Sequence, residues 1–339
     1  MSRNAPERNL ETRWTALRTF SRALLCCAVV VLATTASAQT WPSRPIKLIV
    51  PTGPGAATDM MARLVADGAS RTLGQPMVVE NMPGASGILA HQSVARAQPD
   101  GYTLLFTNTS GMAINPVSFK QLPYDPARDF TAVALVCSLG PQMLSVNADL
   151  PVATVGELIA YAKANPGKLT IAFDNTAGAA AFGAKLFNRR ADLGLVEVPY
   201  RSAGQMTQDV ASGVNQVMMS SIAAAQAVVD AGKVRRLAVT SAARFPGLPD
   251  LPSISETQPG IVINGWFAVV APVGTPPDVV SRLNRLIAEF LTGSDIEKKL
   301  LGFGLATEGA GTPESTGQFI RSDQQQWRAL AQELEIVPQ

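Results

Sequence analysis

Lys47-Leu48-Ile49-Val50-Pro51-Thr52-Gly53-Pro54-Gly55-Ala56-Ala57-Thr58-Asp59 reads as a short apolar strand, a Gly/Pro loop and the opening of a helix. An apolar stripe follows at Met60, Leu64 and Val65. This order lays unpaired backbone N–H groups at the positive end of a helix dipole, where they can receive a carboxylate or another anion. The loop lacks the Gly-Lys-Ser/Thr of a phosphate loop and the three-glycine dinucleotide spacing, so neither nucleotide reading is supported. A plain strand-to-helix turn, with Thr58 as N-cap and Asp59 favouring the dipole, has equal standing on residue chemistry.

Similar short runs recur at Met77–Glu80, Tyr102–Thr107, Thr170–Phe173, Val196–Tyr200, Val217–Ser220 and Leu237–Thr240. Several are apolar on both faces, as strands covered by helices on both sides are. Between them lie punctuated helices. Thr154-Val-Gly-Glu157 has capping-box spacing, opens a stripe of Val155, Leu158, Ile159 and Ala162, and is stopped by Asn165-Pro166-Gly167. Thr275-Pro-Pro-Asp278 opens another, with Val279, Val280, Leu283, Leu286, Ile287, Phe290 and Leu291 at helical spacing. The alternation predicts an α/β protein with largely parallel sheets. Pro and Gly cluster around residues 137–152 and 245–265, which are the expected crossings between two lobes. The predicted division is 39–140 with 261–339 as one lobe and 141–260 as the other, with a ligand cleft between them.

Ahead of this region, Arg3, Arg8, Arg13, Arg18 and Arg22 precede an apolar run from Ala23 to Ala33 and the small-residue exit Ala36-Ser37-Ala38. That is the pattern of a cleavable export signal over residues 1–38, with a periplasmic destination. Its removal, taking Glu7 and Glu11 as well, turns the formal charge of +2 into −1. A balance so near zero gives no electrostatic reason to expect nucleic acid as a partner. Cys26 and Cys27 leave with the signal, and the remaining Cys137 is expected to be a small buried hydrophobe beside Val136. His91 is the chain's one histidine, so schemes needing a His-paired nucleophile or a multi-histidine metal site rest on it alone. It falls in the polar stretch His91-Gln-Ser-Val-Ala-Arg96 and is expected at the surface. No paired carboxylates or nucleophile-base constellation stands out, and no cofactor or metal is expected.

Further landmarks have a recognisable order: Trp41-Pro-Ser-Arg-Pro-Ile-Lys-Leu-Ile-Val-Pro51, Val79-Glu-Asn-Met-Pro-Gly84, Pro99-Asp-Gly-Tyr-Thr-Leu-Leu105, Ala113-Ile-Asn-Pro116, Leu122-Pro-Tyr-Asp125, Asp129-Phe-Thr-Ala-Val-Ala-Leu135, Val198-Pro-Tyr200, Ala231-Gly-Lys233, Leu248-Pro-Asp-Leu-Pro252 and Ala271-Pro-Val-Gly-Thr-Pro276. Together they resemble the extracytoplasmic solute receptors of the tripartite tricarboxylate transporter (Bug) family. The resemblance implies a two-lobed type II periplasmic binding-protein fold, with two mixed, mostly parallel sheets, closing on a small organic acid. The implied partners are membrane permease subunits, and the implied state is a monomer without catalysis. Carried onto this chain, the implied contacts are Thr52, Gly53, Gly55, Ala56, Ala57, Thr58 and Asp59 in the first loop and Asn108, Thr109 and Ser110 after the third strand. From the facing lobe they are Asp174, Asn175, Thr176 and Gly178, then Tyr200, Arg201 and Ser202, and Ser220 and Ser221.

Departures from the family pattern sharpen the expected ligand. Ala56 and Ala57 follow Gly55 where the family has further glycines; Ala177, Ala179–Ala181 and Phe182 occupy a usually polar, His-containing loop. Met112 stands for another frequent histidine, and Ser220 for a frequent acid. Losing two neutral donors at about 1 kcal/mol each weakens a highly polar ligand roughly thirtyfold. A less polar, apolar-bodied or aromatic acid is therefore expected over citrate. Arg201 either pairs a second carboxylate or is a solvated surface arginine. Two other outputs stay open: a sensory subunit for a membrane signalling protein, which would use the same closure, and an exported enzyme on the same fold.

Overall fold

A computed structural model describes residues 41–174, 176 and 178–338. The export signal expected over residues 1–38 lies outside them. The strands are β1 (Ile46–Val50), β2 (Met77–Asn81), β3 (Thr103–Asn108), β4 (Phe130–Asn147), β5 (Thr170–Asp174), β6 (Val196–Tyr200), β7 (Val217–Ser221), β8 (Val234–Val239) and β9 (Asn264–Pro272). The helices are α1 (Ala57–Leu73), α2 (Ile88–Ala95), α3 (Asn115–Ser118), α4 (Val155–Ala164), α5 (Ala179–Arg190), α6 (Ala203–Ala211), α7 (Ile222–Asp230), α8 (Pro277–Leu291), α9 (Ser294–Gly302) and α10 (Pro313–Glu333). Arg44–Gln339 forms one compact unit, and no helix among the described residues is long and apolar enough to cross a membrane.

The nine strands pair in the order β2-β1-β3-β9-β4-β7-β5-β6, with β8 also on β4. The outer trios β2-β1-β3 and β6-β5-β7 are parallel, joined through crossover helices as expected for αβ alternation. The strands between them, β9 and β4, run antiparallel to their neighbours, so the sheet is mixed through its middle. Residues 137–147, expected within a Pro/Gly crossing, are instead the second half of β4. Phe130 to Pro141 pair with β9, and Gln142 onward pairs with β7 on one side and β8 on the other. Register shifts between Cys137 and Gly140 absorb the glycine and proline as a bulge where the strand changes partners.

Buried side chains collect on either side of this switch. Ile49, Leu105, Met112, Trp266 and Ala268 form one cluster, with Ile320 of α10 in it. Leu144, Ile171, Phe173, Phe182, Phe187 and Met219 belong to another, which also holds Trp327 and Ala331 of α10. The helix α10 thus fills holes in both, as its buried positions Thr316, Ile320, Gln324, Trp327 and Ala331 at helical spacing require. Thr154 accepts the Glu157 N–H at 3.1 Å and caps α4 as its spacing predicts. Cys137 is fully buried, and burial pushes its thiol up to about 12, matching the expected inert hydrophobe.

His91 is not at the surface. Its face of α2, with Ala90 and Val94, is completely buried. The imidazole stacks on Tyr124 with centroids 5.0 Å apart. Nδ1 lies 2.8 Å from the Gly87 carbonyl, which can only accept, so Nδ1 carries the proton and Nε2 accepts from the Thr107 hydroxyl at 2.8 Å. Burial drives its pKa down to about 4. The ring occupies space left free by Gly111, where a Cβ would collide with it. That gap is made twenty residues downstream, so local polarity around His91 points the wrong way.

Candidate ligand-binding site

A cavity of about 260 Å³ opens where β4 changes partners. Its wall is built from the first turns of α1 (Ala57, Thr58), α5 (Ala179, Ala180) and α7 (Ile222, Ala223), with Gly178 and Ser221 before them. Asn108 at the end of β3 with Thr109 and Ser110 beyond it, Gly140 to Gln142 of β4, Gly265 to Phe267 of β9 and Phe303 to Leu305 after α9 complete it. Asp174, at the end of β5, is the one charged side chain in the lining among the described residues.

Three helix N-termini therefore meet one small volume. Each helix start leaves N–H groups without intrahelical partners. Ser221 caps α7 by accepting from the Ala224 N–H at 3.3 Å. The N-cap positions of α1 and α5 are Ala56 and Gly178, neither of which supplies a side-chain cap. The expected cap Thr58 is instead buried inside the first turn of α1. Two uncapped positive ends facing a cavity with no cationic side chain among the described residues are suited to an oxyanion.

The first loop is held from behind by Asp59. Its carboxylate accepts from the Gly55 N–H at 2.9 Å, from Asn81 Nδ2 at 2.8 Å and from Arg63 Nε at 3.1 Å. Asn81 also donates to the Thr52 carbonyl at 2.9 Å, tying the loop to β2. Burial alone would raise the Asp59 pKa, but the bonds from Arg63, Gly55 and Asn81 outweigh it and hold the group below the usual carboxylate range. Asn108 accepts the Gly111 N–H at 3.1 Å, and Thr109 Oγ1 accepts the Trp266 N–H at 2.7 Å. The Trp266 indole donates to Asp323 at 2.7 Å, so the ring is fixed from the α10 side.

Of the residues expected to touch a ligand, the structure brings Ala57, Thr58, Asn108, Thr109, Ser110, Asp174, Gly178 and Ser221 to the cavity. Thr52, Gly53, Gly55, Ala56 and Asp59 back the first loop without lining it. Tyr200 directs its hydroxyl to Asp209 at 2.7 Å and receives Asn215 at 2.6 Å. Arg201, Ser202 and Thr176 are exposed away from the lining, which favours the solvated alternative for Arg201. Ser220 is buried, because consecutive strand residues face opposite ways and Ser221 takes the cavity side. Asn175 and Ala177 lie outside the described residues.

The apolar substitutions act differently from the sequence expectation. Ala179 and Ala180 line the cavity, but Ala181 and Phe182 turn into the core, where Phe182 meets Trp327 edge-on at 5.0 Å. Met112 likewise packs with Ile49 and Leu105 and is not in the cavity lining. The apolar lining comes from Ile222, Phe267, Phe303 and Leu305. These, with Gln142, carry no local sequence signal, because long-range contacts bring them together. Gly304 hints at it: it has φ +75°, and a Cβ there would stand 2.6 Å from Ile222.

Residues 61–336 match the family model described as the tripartite tricarboxylate transporter family receptor. Protein BugT of Bordetella pertussis is 34% identical over 308 residues, covering 90% of this chain and 94% of that protein. The structure of R. palustris Rpa4515 with adipate superposes with a TM-score of 0.80 at 35% identity, covering 88% of this chain and all of that one. MatC from Rhodopseudomonas palustris with bound malate gives a TM-score of 0.74 at 29% identity, over 86% of this chain and 99% of that one. With this α/β fold, of the two-lobed type II periplasmic binding-protein class, and with these relatives, the chain belongs to the tripartite tricarboxylate transporter receptor (Bug) family.

Proposed function

We propose that this protein is a periplasmic receptor that captures a small, apolar-bodied organic acid in the cavity at the β4 switch and presents it to the permease subunits of a tripartite tricarboxylate-type transporter. The observation that carries this reading is the pair of uncapped helix N-termini, α1 and α5, facing one cavity. Backbone N–H groups there would grip one carboxylate through charge-assisted hydrogen bonds. The apolar side chains Ile222, Phe267, Phe303 and Leu305 would cover the ligand body. Binding occurs without turnover, in a monomer, with no cofactor. Residues 39–140 with 261–339 and residues 141–260 are the lobes that close on the ligand.

The adipate and malate in the related structures support a carboxylate ligand. Calorimetry and thermal shift with a panel of mono-, di- and tricarboxylates test the proposal. An acid with an apolar body is expected to bind at micromolar concentration or below, at one site per chain. A clear preference for citrate would overturn the ligand class, and consumption of a bound acid would overturn the receptor role. Recovery of a sensor protein, with no permease, from envelope extracts in the presence of the bound acid would overturn the transport role.

A further inference from the structure

Asp174 is anomalous in a site built for an anion. It stands at the C-terminal end of β5, directly before the loop that opens α5, and lines the cavity. Among the described residues, no side chain forms a hydrogen bond or ion pair with its carboxylate. The nearby candidates are committed or turned away. Lys185 of α5 pairs with Glu197 at 2.7 Å, Tyr200, which faces Asp174 in the β5–β6 ladder, is engaged by Asp209 and Asn215, and Arg201 is exposed. Burial pushes the Asp174 carboxyl above its ordinary range, a cost that a cation beside it would relieve.

A ligand with a second carboxylate would bring like charge against Asp174, with no lining cation among the described residues to offset it. A ligand with a protonated nitrogen would give Asp174 its missing partner while its own carboxylate occupied the helix N-termini. Gln142 adds a buried side-chain amide to the same lining, with no hydrogen-bond partner among the described residues, and can serve either end of such a molecule. Resting on the receptor reading above, we infer that Asp174 selects a zwitterionic amino-carboxylate with an apolar body over the simple acid or diacid of the same skeleton.

The test is calorimetric titration of the full chain with matched probes: leucine against 4-methylpentanoate, phenylalanine against 3-phenylpropionate, and 6-aminohexanoate against hexanoate and adipate. In at least one set the amino member is expected to bind tenfold or more tightly than its partners. Asp174→Asn should abolish that ratio by lowering the affinity of the amino member to that of its simple acid. Simple acids or diacids binding as tightly as every amino partner would overturn the inference and leave the receptor reading intact. Retention of the full ratio in Asp174→Asn would overturn it as well. Should that variant fail to fold, the wild-type ratios decide alone. Failure of every probe, amino and simple alike, would contradict the receptor reading itself.

Discussion

Two strand-to-helix junctions face the same cavity, and each carries an aspartate that they use in opposite ways. At β1–α1, Asp59 is buried and engaged by Gly55, Arg63 and Asn81, so its carboxylate is framework. At β5–α5, Asp174 reaches the lining with no side-chain partner among the described residues. The pKa directions follow suit, lowered for Asp59 and raised for Asp174. An acid beside the proposed anion-binding loop is compatible with anion capture when its charge is spent on the scaffold. When its charge is left facing the cavity, it becomes a statement about the ligand.

The greatest effect is expected in the buried scaffold, where His91 accepts from the Thr107 hydroxyl of β3. Its folded pKa of about 4 lies below the unfolded value near 6.5, so the neutral form belongs to the folded state. Its contribution is complete above pH 6.5 and is lost as pH falls toward 4, by about 3 kcal/mol in all. Because the chain has a single histidine, one imidazole resonance should titrate near pH 4 in NMR. A midpoint near 6.5 would contradict the buried neutral ring.

Next in size, Asp59→Ala should cost about 2 kcal/mol in urea unfolding at pH 7, since it strands Arg63, Asn81 and the Gly55 N–H together. The Asp59 contribution is present above its unfolded pKa and falls away as pH drops through the lower folded value. A loss below about 0.5 kcal/mol would erase the distinction between the two junctions.

The smallest stability effect is expected at the second junction. Asp174 has the opposite linkage, penalising the fold as pH rises through its raised folded pKa, so Asp174→Asn should be neutral or stabilising by under about 1 kcal/mol at pH 7. A destabilisation as large as that of Asp59→Ala would show that Asp174, too, belongs to the scaffold.

How far the chain could be read in advance depended on whether the signal was local. The strand Lys47–Val50, the loop after it and the Thr154–Glu157 cap are written in adjacent residues, and the structure has them where expected. The strand β4 was hidden because Gly140-Pro141 reads as a turn; in the sheet it is a bulge at a change of partners, which only the distant β7, β8 and β9 reveal. His91 sits among polar neighbours, and its cavity is made by Gly111. Half of the candidate site has the same character. The strand-loop-helix order before α1 is written in adjacent residues, whereas Gln142, Phe267 and Phe303 reach the cavity only through long-range pairing.

In the proposed receptor a ligand carboxylate sits between the α1 and α5 N-termini. A crystal structure of the protein with a calorimetrically verified acid tests it most directly. Carboxylate oxygens are expected within about 2.7–3.2 Å of backbone N–H groups in the first turns of α1 or α5, around Thr58 and Ala179. The same acid seated elsewhere, for instance in the cavity of about 370 Å³ lined by Trp266, Asp323 and Trp327, would contradict it.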